Sequence, residues 1–260
     1  MRNDWLAPLA RIGLVAKGVS FAIVGVLALR VAVGHGGKST SREGALATLA
    51  DEGYGKWLLL ALAAGFAAYA LWRIAQAFFE RDEEDHKRWG KRAGYLGRAG
   101  IYTALAYSAA KLATGTTHTQ SQNERAREAT AEVLDWPAGR WIVGIAGLCV
   151  IGAGLFNGYR GLTCKFAERW NTGEMGAAVR RWATRIGVAG LLARLVVFGL
   201  IGAFAVKAAL EYDPKEAIGL DGALQKLAQQ SYGPWLLGLT AAGLLAYAAY
   251  CFADARYRRV

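Results

Sequence analysis

The sequence predicts an all-α integral membrane protein, a six-helix bundle made of three parallel tandem helical hairpins with pseudo-threefold symmetry. Three observations carry this. Hydrophobic residues make up 54% of the chain and charged ones 20%, and the charge clusters between long apolar runs instead of forming a polar face along every helix. Six such runs, roughly 10–33, 57–79, 94–113, 138–160, 187–209 and 234–253, are long enough at about 1.5 Å per residue to cross a hydrocarbon core of about 30 Å. The third observation is a repeated stripe. Gly13, Lys17, Phe21 and Gly25 follow one another in steps of four, with Arg30 closing the run. The same stripe returns as Gly94, Arg98, Tyr102 and Ala106 with Lys111, and as Gly190, Arg194, Phe198 and Gly202 with Lys207. Steps of four align side chains on one face of a helix.

Taken in order, span one covers about residues 10–33. The N-terminal stretch, MRNDWLAPLAR, lacks a convincing small-residue cleavage site before a mature domain, so span one reads as a retained signal-anchor. A loop rich in glycine and small polar residues follows. Gly44 to Tyr54 then places apolar residues at helical spacing over too short a length to span, as an interfacial helix does. Gly55–Lys56–Trp57 opens span two, and Trp57 and Trp72 suit aromatic belts at its two ends. The charge-dense stretch ERDEEDHKRWGKR reads as a solvated turn. After span three comes a second short helix at 123–134, and Gly139–Arg140–Trp141 opens span four at a lag of 84 from the first such opening. The linker 161–186 mixes Lys165, Arg169, Arg180, Arg181 and Arg185 with Phe166, Trp170 and Trp182, a composition expected to lie on the membrane surface. Asp221 to Ser231 repeats the interfacial piece, and Gly233–Pro234–Trp235 opens span six. The repeat units are therefore approximately 10–79, 94–160 and 187–253, in one transmembrane domain over 1–260.

Two spans per unit give all three units the same orientation, related by an axis along the membrane normal. With the boundary residues Arg11 and Arg160 counted with the termini and the linkers between units, and Arg140 with the loops inside units, the former hold 16 Lys and Arg against eight, which places both termini in the cytoplasm. The first helices, which carry the stripe, are expected nearest the axis, with three surface helices covering the extracytoplasmic face.

The stripe, the Gly–x–Trp openings and the leucine-rich pieces before them resemble a bacterial family of six-span membrane proteins built from three tandem two-helix repeats. The second unit departs from the pattern at Ala106, where the others carry glycine. The resemblance implies the bacterial inner membrane and a repeat architecture, and brings no catalytic residue with it.

The net charge of +11 is explained by the cytoplasmic bias of basic loops, so no nucleic-acid partner is expected. Cys149, Cys164 and Cys251 have no metal or redox spacing. His35, His86 and His118 all fall in loops, and no catalytic group, metal site or cofactor is expected. The candidate ligand residues are the stripe cations Lys17, Arg98 and Arg194. A charge deep in a span costs roughly 2.5–3.5 kcal/mol at its centre, and none of the six predicted spans holds an Asp or Glu to neutralise it. Such cations snorkel, sit on aromatic faces such as Tyr69 or Tyr247, bond to carbonyls, or receive an anion or lipid phosphate. The stripe aromatics Phe21, Tyr102 and Phe198 lie one turn further on. Arg30, Lys111 and Lys207 fall near the outer boundary as interface anchors, and Arg73 is expected to snorkel. The glycines of spans one and four, among them Gly13, Gly18, Gly25, Gly144, Gly147, Gly152, Gly154 and Gly158, permit close helix approach. The leading expectation is a non-enzymatic bundle binding anionic lipid headgroups or a protein partner. The alternative is an anion-selective channel or small-solute transporter, with a small anion as cargo.

Overall fold

The structure is a computed structural model and describes residues 6–33, 55–79, 85–114 and 122–258. Among them are eight α-helices: α1 (Leu6–Ala32), α2 (Gly55–Phe79), α3 (Asp85–Ala113), α4 (Gln122–Leu134), α5 (Gly139–Leu162), α6 (Ala177–Glu211), α7 (Leu220–Ala228) and α8 (Gly233–Tyr257). The surface piece expected at Gly44–Tyr54, with His35 and His118, lies outside the described residues. His86 belongs to the first turn of α3 and not to a loop.

Five helices, α1, α2, α5, α6 and α8, are long and apolar enough to cross a membrane. The helix holding the third predicted span is long enough but too polar. Its apolar part carries Arg98 and Lys111 among glycine, serine, threonine and tyrosine, and it reaches back to Asp85 through the charge-dense stretch expected to be a turn. Helix α6 also starts early. Its 35 residues measure about 52 Å, some 20 Å more than a hydrocarbon core. Arg180, Arg181 and Arg185 therefore ride on the first turns of the same continuous helix that holds the fifth predicted span.

The long helices pack as a single row in the order α3, α2, α1, α8, α6, α5. First and second helices thus alternate along the row, and no first helix packs along another first helix. The cause is visible at the glycines. A Cβ on Gly13 would meet Tyr69 Cβ at 2.5 Å, and one on Gly190 would meet Tyr247 Cα at 2.5 Å. One turn further, a Cβ on Gly65 meets Ala16, and one on Gly243 meets Ala193, each at 2.4 Å. The α1–α2 and α6–α8 hairpins therefore close on the same register, since Tyr69 and Tyr247 are 178 residues apart and Gly13 and Gly190 are 177 apart. Unit two does not do this. Helices α3 and α5 do not pack along their lengths, Gly94 and Gly97 have open space around them, and Cys149 and Ala153 on the corresponding face of α5 are exposed. The row is an incomplete ring, open at a seam between α3 and α5.

Short helices cover one end. Asn123 Oδ1 of α4 accepts a hydrogen bond from the Gly219 backbone N–H at 2.7 Å, joining α4 to the start of α7. The Gly–x–Trp opening also has a steric basis. A Cβ on Gly139 would lie 1.8 Å from the Val133 carbonyl oxygen, and one on Gly233 would lie 1.9 Å from that of Ala228. Only glycine lets each short helix run this closely into the long one. Trp57, Trp141 and Trp235 are 73%, 71% and 82% exposed, as residues of an aromatic belt are. Trp72, expected in the opposite belt, is instead buried.

The linker folds back onto the end of α8. Phe166 and Trp170 are buried and stack edge-on, and both pack on Tyr250. The Asn171 N–H donates to the Tyr257 carbonyl at 2.7 Å, and Trp170 pairs with Arg258 in an isolated bridge. Of the three aromatics named in this segment, only Trp182, in the early part of α6, keeps the exposed position expected, as do the segment's cations Lys165, Arg169, Arg180, Arg181 and Arg185. Elsewhere the outer surface is apolar: Leu71, Phe78, Ile145, Leu148, Leu155 and Leu239 are all exposed. Such a surface is what a hydrocarbon solvent requires and what soluble monomers avoid.

Candidate functional site

The stripe determines which side chains meet. Because Gly13 brings α1 against Tyr69, the next stripe residue, Lys17, is carried alongside that ring. Its ammonium lies 5.5 Å from the Tyr69 ring centroid and 5.2 Å from that of Tyr247. Arg194 reaches the same tyrosine from the third unit. Its Nη1 donates to Tyr247 Oη at 2.6 Å, and its guanidinium carbon is 4.6 Å from the Tyr247 ring, 4.7 Å from Phe198 and 5.9 Å from Phe21. Phe21 meets Tyr247 edge-on at 4.8 Å. Two stripe cations from different units thus converge on one tyrosine. Tyr102 packs on Tyr69 at 4.3 Å, bringing the stripe aromatic of unit two to the same wall.

Arg98 is placed differently. It is exposed and belongs to the α3 side of the open seam, within electrostatic reach of Tyr69, Arg73, Arg160 and Arg194. Arg73 does not snorkel. It is buried, with Nη2 donating to Tyr69 Oη at 2.7 Å, Nη1 donating to Gln76 Oε1 at 2.5 Å, and its guanidinium 4.1 Å from the Trp72 ring. The outer set stands at the periphery. Arg30 is exposed, Lys111 lies 4.9 Å from the Tyr107 ring, and Lys207 pairs with Glu216 at 2.9 Å and Glu211 at 3.7 Å.

A buried carboxylate was not anticipated. Asp254 falls one residue beyond the predicted sixth span but within α8, and it is 3% exposed. It accepts from Trp170 Nε1 at 3.1 Å and from Arg258 Nη1 at 2.9 Å. Burial is the largest influence on Arg258 and opposes its charge, and Asp254 together with Tyr250 and Tyr69 more than offsets it, holding the guanidinium above the ordinary arginine range. Arg258 also lies 4.9 Å from Trp72, so this pair and Arg73 share one indole. Two sequence signals point to Asp254: its four-residue spacing from Arg258, and its place in the repeat opposite Gln76, the residue that accepts from Arg73.

Among the described residues no group of three or more His, Cys, Asp or Glu side chains is placed to hold a metal. One open cavity, at the base of α6, is lined by Met175, Ala177, Arg180, Arg181, Thr184 and Arg185, and no stripe residue borders it.

A family profile described as Domain of Unknown Function (DUF1206) matches the chain three times, over residues 12–80, 93–163 and 189–258. The chain belongs to the DUF1206 family. Each match takes in one pair of long helices, α1 with α2, α3 with α5, and α6 with α8. The stripe cations therefore occupy one position of the DUF1206 repeat. The uncharacterized protein YxxB of Bacillus subtilis (strain 168) is 31% identical over 261 residues, covering 99% of this chain and 93% of that protein. No solved structure matches.

Proposed function

We propose that this protein is a six-span bundle of the bacterial inner membrane, pseudo-threefold in plan with both termini cytoplasmic, that binds an anionic headgroup through its stripe cations and catalyses no reaction. The observation that supports the reading most is the gathering of positive charge. Lys17 and Arg194 meet at Tyr247, Arg98 and Arg73 lie within reach, and among the described residues no carboxylate bonds Lys17, Arg98 or Arg194. Taking an ion out of water costs several kcal/mol even after relaxation. A cation–π contact returns about 0.5–2 kcal/mol. The aromatic faces therefore offset part of the cost, and a bound anion supplies the rest.

In lipid nanodiscs the expected result is stabilisation by phosphatidylglycerol over phosphatidylcholine, of about 2.7 kcal/mol when the lipid stands at about a hundredfold its dissociation constant. Joint replacement of Lys17, Arg98 and Arg194 by glutamine removes it. Equal melting of the parent protein in the two lipids would contradict the reading. The orientation rests on the basic bias of the termini and inter-unit linkers, and labelling of the C-terminus from outside intact cells would reverse it.

One observation favours an anion channel as a second reading. The seam leaves Arg98 exposed, so the cationic space is not sealed along its length. Reconstituted vesicles distinguish the two: chloride efflux abolished by the same triple replacement supports a channel, and absence of efflux from the parent removes it.

A further inference from the structure

The three units treat the same cation in two ways. In units one and three, a tyrosine of the second helix stands beside the cation of the first: Tyr69 by Lys17, and Tyr247 by Arg194, which it also bonds. The repeat register, 84 residues from Tyr69 on the second helix, puts Ala153 in that place in unit two. The cation there, Arg98, therefore has no ring supplied by its own hairpin. The hairpin is also the one that stands open, with Gly94, Gly97, Cys149 and Ala153 uncovered on the two faces that would meet.

The charge on the two sides of the seam has one sign. Arg98 stands on the stripe of α3, and Arg160 lies seven residues beyond Ala153, two turns along the same face of α5. Arg73, Arg194 and, more weakly, Arg160 all act on Arg98, so an anion in the seam would offset charge of one sign on both sides. The approach to this place is apolar. Leu96 and Ile101 of α3, and Ile145, Leu148 and Phe156 of α5, are exposed on the two helices. An inorganic anion arriving from water has no use for such flanks, whereas an acyl chain does.

We infer that the seam between α3 and α5 is a lateral binding site for an anionic phospholipid, whose phosphate is held by Arg98 and Arg160 in the place that a tyrosine fills in the other two units. This rests on the headgroup-binding reading above and specifies where the headgroup lies. Lys17 and Arg194, already engaged with Tyr247, contribute field but not the contact. The acyl chains occupy the seam, and the covered face of α5 includes Cys149, one turn before Ala153.

The test uses the full chain in nanodiscs, with melting and the rate of maleimide modification at the Cys149 peptide as the two readouts. Phosphatidylglycerol is expected to slow modification about tenfold relative to phosphatidylcholine, as one charge-assisted contact allows. Ala153→Tyr supplies the missing ring and is expected to abolish both the protection and the melting shift, with the protein folded as judged by its melting in phosphatidylcholine. The double replacement Arg98→Gln with Arg160→Gln has the same effect, and Lys17→Gln with Arg194→Gln weakens the shift without removing it. If Ala153→Tyr leaves both readouts as in the parent while Lys17→Gln with Arg194→Gln removes them, the lipid binds elsewhere and the seam site is overturned. If the parent shows no shift, the headgroup reading fails with it. If inorganic phosphate in phosphatidylcholine discs protects Cys149 equally well, the anion is not a lipid and the inference is overturned.

Discussion

Gly190→Leu is expected to lower the stability of the protein by about 3 kcal/mol or more, beyond the 1–3 kcal/mol usual for overpacking. The reason is what the new side chain would strike. A Cβ at this position meets the Tyr247 backbone, at 2.5 Å from Cα and 2.6 Å from N. A backbone cannot rotate away as a side chain can, so α6 and α8 must separate. Separation also breaks the 2.6 Å bond from Arg194 to Tyr247 and leaves a charged group with one partner fewer. Gly13→Leu meets Tyr69 Cα at 2.6 Å and should behave alike. Gly94→Leu is the internal control. Nothing lies within 4 Å of its Cβ, and leucine is the better helix former by up to about 1 kcal/mol. It is expected to be neutral or slightly stabilising. Melting of the three variants in one detergent checks the pattern, and equal losses at all three positions would mean that unit two closes like the others.

The second large effect is expected at Asp254. The side chains of Asp254 and Arg258 are 4% and 9% exposed, and removal of one partner of a buried ion pair costs about 3–5 kcal/mol because the other charge is left without compensation. Asp254→Leu also deprives Trp170 of the acceptor for its indole N–H. That indole pins the linker to α8, with Phe166 and Tyr250 packed around it. The linker should therefore come loose at the same time as the helix end. Limited trypsin digestion reads this directly, since Lys165 and Arg169 lie in the segment. Cleavage there is expected to quicken sharply in Asp254→Leu and to be much less affected in Asp254→Asn, which keeps an acceptor for Trp170. Unchanged cleavage in both would mean that the aromatic packing alone holds the linker.

How much of this was legible in the sequence varies with the kind of interaction. Periodicity showed the long helices, because an apolar run of this length has few other solutions in a membrane. The stripe showed more than position. Gly13 and Gly190 are glycines for the same reason, a tyrosine backbone against the helix, and the cation four residues later is carried to the same ring. What periodicity could not show was which helices are neighbours. The stripe suggested first helices near an axis, but not that tight contacts at Gly13 and Gly190 would tie α1 to α2 and α6 to α8 while Gly94 of α3 stayed open. Ala153 was the sequence signal for the open hairpin, since it stands where its two counterparts are tyrosine. Asp254 was missed because a hydropathy window ends where charge begins, while the helix goes on. Trp72 and Arg73 were assigned to the interface for their amphipathic character, yet they are buried together, with the Arg73 guanidinium over the Trp72 ring and bonded to Tyr69 and Gln76. The early starts of α3 and α6 have a related cause: charge ends a span but need not end a helix.

The proposed function requires that the cations gathered from three repeats together favour an acidic lipid, whether by contact or by field. Native mass spectrometry of the protein released from bacterial membranes measures this with the fewest intermediate steps. One retained phospholipid with an anionic headgroup is expected on the parent chain, and none after Lys17, Arg98 and Arg194 are all replaced by glutamine. A parent chain that emerges bare, or a triple variant that keeps the same lipid in the same amount, would contradict it.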